Sequence, residues 1–177
     1  MPHPEPSVPV LLLTGPAGVG KTRVGREIAR ALRKYQVPVA FVDVDALAYK
    51  FPTPPDDRFQ QRLALRNLAD VWRNHHDSGA RVLVLARVLE RMDGLEGYRQ
   101  AVPGAVITVV RLRASMEVLT QRLLRRGDLD YLERARELLS FLDETRAEDL
   151  LIETDGQLPT ALAQQILAAL NWPSRPE

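Results

Sequence analysis

Short apolar runs alternate along the chain with longer stretches whose apolar residues recur every three or four positions. Val10 to Thr14, Val39 to Val42, Val82 to Ala86, Val106 to Val110 and Leu150 to Glu153 are short enough, and apolar enough, for buried parallel strands. Between them, Val24, Ile28, Ala31, Leu32 and Tyr35 keep helical spacing until Pro38 closes the segment. Leu63, Leu65, Leu68, Val71 and Trp72 predict a long helix from about Arg58 to Asp77, stopped near Gly79. Met116, Leu119 and Leu123 start a helix that breaks at Gly127; Leu132, Ala135, Leu138 and Leu142 form another, and Leu162, Ile166 and Leu170 mark the last. Pro52, Pro54 and Pro55 impose an irregular stretch, and the segment through Gly94 and Gly97 reads as loose. Strand and helix alternate throughout, so the pattern predicts an α/β fold with a parallel sheet covered by helices on both faces.

Length and charge narrow this picture. At 177 residues the chain suits one domain, expected over residues 10–172, with a proline-rich flexible start at 1–9 and a frayed tail at 173–177. Twenty-four Lys and Arg against 23 Asp and Glu leave +1, so no global field marks a nucleic-acid binder. There is no cysteine, which removes disulfides, thiolate metal sites and cysteine nucleophiles. His75 and His76 project in different directions on a helix and His3 stands apart, a poor basis for a histidine metal site. The start lacks the basic and apolar regions of a secretory signal, and no apolar run approaches the roughly 20 residues of a membrane span. A cytoplasmic protein is the expectation.

One segment carries specific chemistry. Gly15, Pro16, Ala17, Gly18, Val19, Gly20, Lys21 and Thr22 spell G-x-x-x-x-G-K-T between the first strand and the first helix. Glycines there let backbone N–H groups turn inward on phosphate oxygens, and the helix start adds unsatisfied donors and partial positive charge. Lys21 can reach the β- and γ-phosphates, and Thr22 can offer its hydroxyl to Mg²⁺. The only lysines, Lys21, Lys34 and Lys50, follow Gly, Arg and Tyr, so the guanine-reading N-K-x-D is missing, which argues against a signalling GTPase. Motor and transporter ATPases end a second apolar strand in an acidic pair, whereas Val82 to Ala86 runs into Arg87.

With that loop and with FVDVD at Phe41 to Asp45, the chain resembles the small P-loop kinases that phosphorylate metabolites, among them shikimate, gluconate and adenylylsulfate kinases and chloramphenicol phosphotransferase. The resemblance implies a P-loop NTPase fold with a five-stranded sheet in the order 2-3-1-4-5 plus a lid. It implies ATP and Mg²⁺ as cofactors, and transfer of the γ-phosphoryl group to a hydroxyl of a small metabolite or antibiotic. Asp43 and Asp45 match the D-x-D of shikimate kinases, where Asp43 would help hold Mg²⁺ and Asp45 would face the acceptor hydroxyl. QRLLRR, Gln121 to Arg126, resembles the R-L-x-x-R of the lid, placing Arg122 toward the adenine and Arg126 toward the phosphates; Arg125 is a register-shifted alternative. IETDGQLP, Ile152 to Pro159, resembles the loop that brackets adenine, through Asp155, Gly156 and Pro159.

The acceptor is less defined. Arg58, Arg62 and Arg66 fall where related kinases place acceptor-binding elements, and Arg62 and Arg66 share a helix face that suits a carboxylate, sulfate or phosphate. A solvated stripe fits them equally. Shikimate kinases carry a glycine-rich turn after the third strand, and here Ala86, Arg87 and Val88 stand in its place. Arg87 is open to two readings, an anion contact or a surface pair with Glu90. Ser115, with no histidine arranged for a triad, suits a helix cap before Glu117 and Val118. Two other readings compete with the kinase: a nucleotide-binding regulator or weak ATPase without an acceptor, and a nucleoside or nucleotide kinase.

Overall fold

In the computed structural model, which describes residues 7–172, the first apolar run becomes β1 (Val8–Thr14), two residues longer than the pattern suggests. Val8 and Pro9 pair with Ala105 and Val106 on one side only, since pairing on the other side starts at Val10. A proline is tolerated there because its missing N–H faces no neighbour. The rest of the two expected loose ends, residues 1–6 and 173–177, lies outside the described residues.

The chain continues through α1 (Lys21–Lys34), β2 (Val39–Asp43), α2 (Gln61–Asp77), β3 (Val82–Ala86), α3 (Leu95–Ala101), β4 (Ala105–Arg113), α4 (Met116–Arg126), α5 (Leu132–Thr145), β5 (Leu150–Glu153) and α6 (Pro159–Ala169). The five strands are parallel and ordered β2-β3-β1-β4-β5. Successive residues of β1 point to opposite faces, as the strand period requires. Val10 and Leu12 join a core with Leu68 and Trp72 of α2 and Tyr98 of α3; Leu11 and Leu13 join a second core with Ile28 of α1, Leu119 of α4 and Ile166 of α6. No helix among the described residues is long and apolar enough to cross a membrane.

Two helical segments differ from the pattern. The segment through Gly94 and Gly97 is not loose: a short 3-10 turn leads into α3, whose Leu95, Tyr98 and Ala101 are buried. Gly97 packs against α2: a Cβ there would require the Leu65 methyl group to shift. The long helix begins at Gln61 rather than near Arg58, because the Asp57 carboxylate accepts from the N–H groups of Gln61 (2.7 Å) and Arg62 (3.0 Å) and so fixes the first turn. Arg58 therefore stands in the loop before the helix.

Arg111 of β4 is fully buried beside α5. Its guanidinium donates to the Leu142 carbonyl at 2.5 Å, pairs with Asp143, and lies 3.6 Å from the nearly enclosed Glu148 carboxylate. A buried pair adds little over apolar packing, but removing one partner strands the other. Arg111→Ala should lower the unfolding free energy by about 3–5 kcal/mol in chemical denaturation, since Glu148 would be left buried without a cation.

Candidate active site

Residues Gly15 to Gly20 connect the carboxyl end of β1 to α1 at the middle of the sheet, where parallel strands present their ligands. Gly15 has φ 132° and Gly20 φ 109°, values that side chains strongly disfavour. At Gly15 the need is also steric, because a Cβ would run into the Leu112 carbonyl oxygen of β4. At Gly20 a Cβ would meet nothing, so the open space lies on the side a ligand would approach. The start of α1 has neither a side-chain cap nor an acidic residue in its first turn. Its orphan N–H groups and the positive end of its dipole are left for an anion.

Lys21 folds back over the loop and donates to the carbonyls of Gly15 (2.8 Å) and Pro16 (3.1 Å). Burial pulls its ammonium from the usual 10.5 down to about 8, against the opposing attraction of the Asp45 and Asp43 carboxylates. Thr22 donates its hydroxyl to Asp43 Oδ2 at 2.7 Å, joining the loop to the end of β2. A hydroxyl and a carboxylate side by side are an all-oxygen donor set of the kind that suits a hard cation such as Mg²⁺.

A cavity of about 920 Å³ opens in front of this loop. Gly18, Gly20, Lys21 and Thr22 form one wall; Asp45, Arg58, Phe59, Arg87, Arg126 and Tyr131 are among the residues on the others. Asp45 follows β2 in a short 3-10 turn and its side chain is 62% exposed. Arg87 pairs with it at 3.3 Å, and also donates to the carbonyls of Val44 (3.2 Å) and Phe59 (2.7 Å). Of the two sequence readings of Arg87, surface pairing with Glu90 is corrected: Arg87 is buried, and Glu90 pairs with Arg134. Arg87 is held there because two backbone carbonyls and the Asp45 carboxylate, from two segments, converge on its guanidinium.

The other arginines separate. Arg122 reaches back to the loop, donating to the carbonyls of Val19 (3.0 Å), Gly18 (3.4 Å) and Thr154 (3.4 Å). With Pro159 and Leu162 it lines a smaller cleft of about 330 Å³ behind the loop. Arg126, one turn on, lines both cavities, while Arg125 lines only the smaller one and bonds back to Gln121 of its own helix. Asp155 and Gly156 do not line the smaller cleft; the Asp155 carboxylate accepts from the Ser115 N–H at 3.1 Å. Ser115 caps α4 through its hydroxyl, which accepts from the Val118 N–H. Arg62 pairs with Asp56 at 2.7 Å and Arg66 is exposed; neither lines the large cavity. Arg23, Phe59, Tyr131 and Arg134 do line it and carry no sequence motif; Arg134 and Tyr131 arrive only through the long-range placement of α5.

A parallel 2-3-1-4-5 sheet with this loop between β1 and α1 defines a P-loop NTPase-like fold. The model of the AAA domain family matches residues 11–150, and the chain belongs to that family. Similar solved structures include the tunicamycin resistance protein of Deinococcus radiodurans (19% identity, TM-score 0.66, covering 92% of this chain and 95% of that one). Others are the APS kinase of Mycobacterium tuberculosis in complex with AMPPNP and APS (21%, 0.65, 94% and 99%) and the shikimate kinase of Acinetobacter baumannii in complex with shikimate (23%, 0.61, 97% and 97%). The fold is that of these small P-loop kinases. No curated protein sequence matches the chain.

The depressed Lys21 pKa has a measurable consequence. In the free protein the amine loses its proton around pH 8, and phosphate oxygens placed against it would restore the charge. Triphosphate binding should therefore take up little proton at pH 7 and nearly one by about pH 9, read by calorimetry in buffers of different ionisation enthalpy. Gly15→Ala should lose that binding at every pH, since both its φ and the Leu112 carbonyl forbid the loop shape.

Proposed function

We propose that this protein is an ATP- and Mg²⁺-dependent phosphotransferase that moves the γ-phosphoryl group to a hydroxyl of a small molecule. The observation that carries the reading is the sharing of one cavity by the phosphate loop and Asp45, with room beyond for an acceptor. The kinase names of the similar structures support it.

In this reading the β- and γ-phosphates rest on the loop N–H groups and the α1 start, with Lys21 and Arg126 neutralising their charge. Thr22 and Asp43 would hold Mg²⁺, which when bound neutralises phosphate charge. The acceptor oxygen bonds to the γ-phosphorus as the bond from that phosphorus to the bridging oxygen breaks, ADP leaves, and the hydroxyl proton passes to the Asp45 carboxylate. Arg87 keeps that carboxylate over the cavity through the 3.3 Å pair. Transfer is then mainly positioning and charge neutralisation, and enclosure of the phosphoryl group keeps water from intercepting it. Arg122 and Pro159 border the base side, as the smaller cleft suggests. The protein is read as cytoplasmic and as a single functional domain over residues 10–172.

ATP consumption against a panel of sugars, polyols, nucleosides, nucleotides and antibiotics tests the reading. One hydroxyl compound should stimulate turnover strongly; robust nucleotide binding with no stimulation would instead favour a regulator. Lys21→Ala should abolish transfer with the fold intact by circular dichroism. Asp45→Asn should lower turnover by about 10²–10⁴-fold while ATP affinity changes little, and unaltered transfer kinetics would remove Asp45 from the mechanism.

A further inference from the structure

The lining of the large cavity brings three exposed aromatic side chains together, and most of the acidic side chains around them are paired. Tyr49 is 98% exposed, Phe59 58% and Tyr131 55%, and all three line the cavity. They come from two separate segments, the stretch before α2 and the connection between α4 and α5, so their convergence is a product of the fold. Three large rings left in water on one concave surface are unusual, because single exposed apolar residues are common but grouped ones mark a binding surface. The guanidinium groups of Arg58 and Arg134 lie 5.6 and 5.5 Å from the Phe59 ring centre, which holds that ring at the mouth.

Most of those carboxylates are occupied. Asp56 and Asp57 pair with Arg62, Glu90 with Arg134, and Asp93 with Arg91; Asp45 pairs with Arg87 yet stays 62% exposed, and among the described residues Asp128 and Arg58 line the cavity without an ion pair. A polyol or sugar acid requires a partner for each hydroxyl it buries, and paired carboxylates supply few.

We infer that the acceptor is an alcohol carried on a flat, largely apolar body, whose ring lies among Tyr49, Phe59 and Tyr131 while its hydroxyl reaches Asp45. The inference rests on the phosphotransferase reading and narrows its substrate class. Ring faces contact the apolar body, and burial of both gives the affinity; Asp45 accepts the one hydroxyl that must be placed.

The test uses the full-length protein saturated with Mg²⁺ and a non-hydrolysable ATP analogue, titrated with matched pairs that differ by one ring: phenyl against methyl β-glucoside, and 3-phenoxypropane-1,2-diol against glycerol. The ring-bearing member of each pair should bind about tenfold more tightly or better. Phe59→Leu and Tyr131→Leu should each shrink that ratio, with nucleotide affinity checking the fold. Equal affinities within pairs, absence of binding by either member, or tighter binding of gluconate or shikimate would overturn the inference. A second arm with ATP separates it from the reading beneath it. Ring-dependent binding without phosphoryl transfer upholds the aromatic wall and removes the kinase, whereas transfer to a polyol with no ring dependence does the reverse.

Discussion

The start of α1 is left bare, and the site is organised around that. A helix start with four unpaired N–H groups is normally closed by a serine, aspartate or glutamate of its own chain. Here Gly20 stands at the cap position without a side chain, and the first turn holds no acid. The same glycine-rich loop lies so close to β4 that the Leu112 carbonyl occupies the place of a Gly15 Cβ. The loop is thus fixed from behind and unsatisfied in front. An anion that fits supplies what the chain withholds, and the central position of β1 puts that anion within reach of β2, β3 and α4.

Arg87 shows how a departure from the relatives' pattern is accommodated. A flexible glycine turn after β3 would let the neighbouring loops find their own positions. The buried guanidinium instead gathers the Val44 and Phe59 carbonyls and the Asp45 carboxylate. A charged group so enclosed needs its donors matched, so it ties the turn after β2 to the loop before α2. Asp45 and Phe59 both line the cavity, and one side chain contacts both.

Much of this was legible in the residues, and the exceptions have physical causes. The strands and most helices follow from period, because buried parallel strands and two-sided helix layers leave strong apolar signals. The phosphate loop was legible because its chemistry needs particular residues at fixed spacing. The helix at Leu95–Ala101 was hidden by Gly94 and Gly97, which read as breakers although Gly97 lies within the helix and packs closely against Leu65. The start of α2 was misplaced by three residues because Asp57, not the apolar period, ends the irregular stretch. Phe59, Tyr131 and Arg134 had no signal at all: nothing local ties residue 59 to residue 134, whose meeting depends on how α5 packs against the loop before α2. Arg62 and Arg66 illustrate the converse, since shared helical spacing says nothing of whether a nearby acid, here Asp56, takes the charge first.

The distribution of paired and unpaired charge gives the cavity two unlike ends. On the loop side, Lys21, Arg23 and Arg126 have no ion pair among the described residues, and they face the place where a triphosphate's charge would lie. On the opposite side most acids and arginines neutralise one another locally, with Asp128 and Arg58 the exceptions among the described residues, and exposed rings stand among the pairs. Paired charges hold their positions without projecting a field far into the cavity, because opposite charges a few ångströms apart cancel at a distance. A polyanion and a weakly polar body can therefore share one space, each against a surface matched to it. Asp45 stands at the boundary between the two ends, tethered to Arg87 yet open to the cavity, where a hydroxyl and a terminal phosphate would meet.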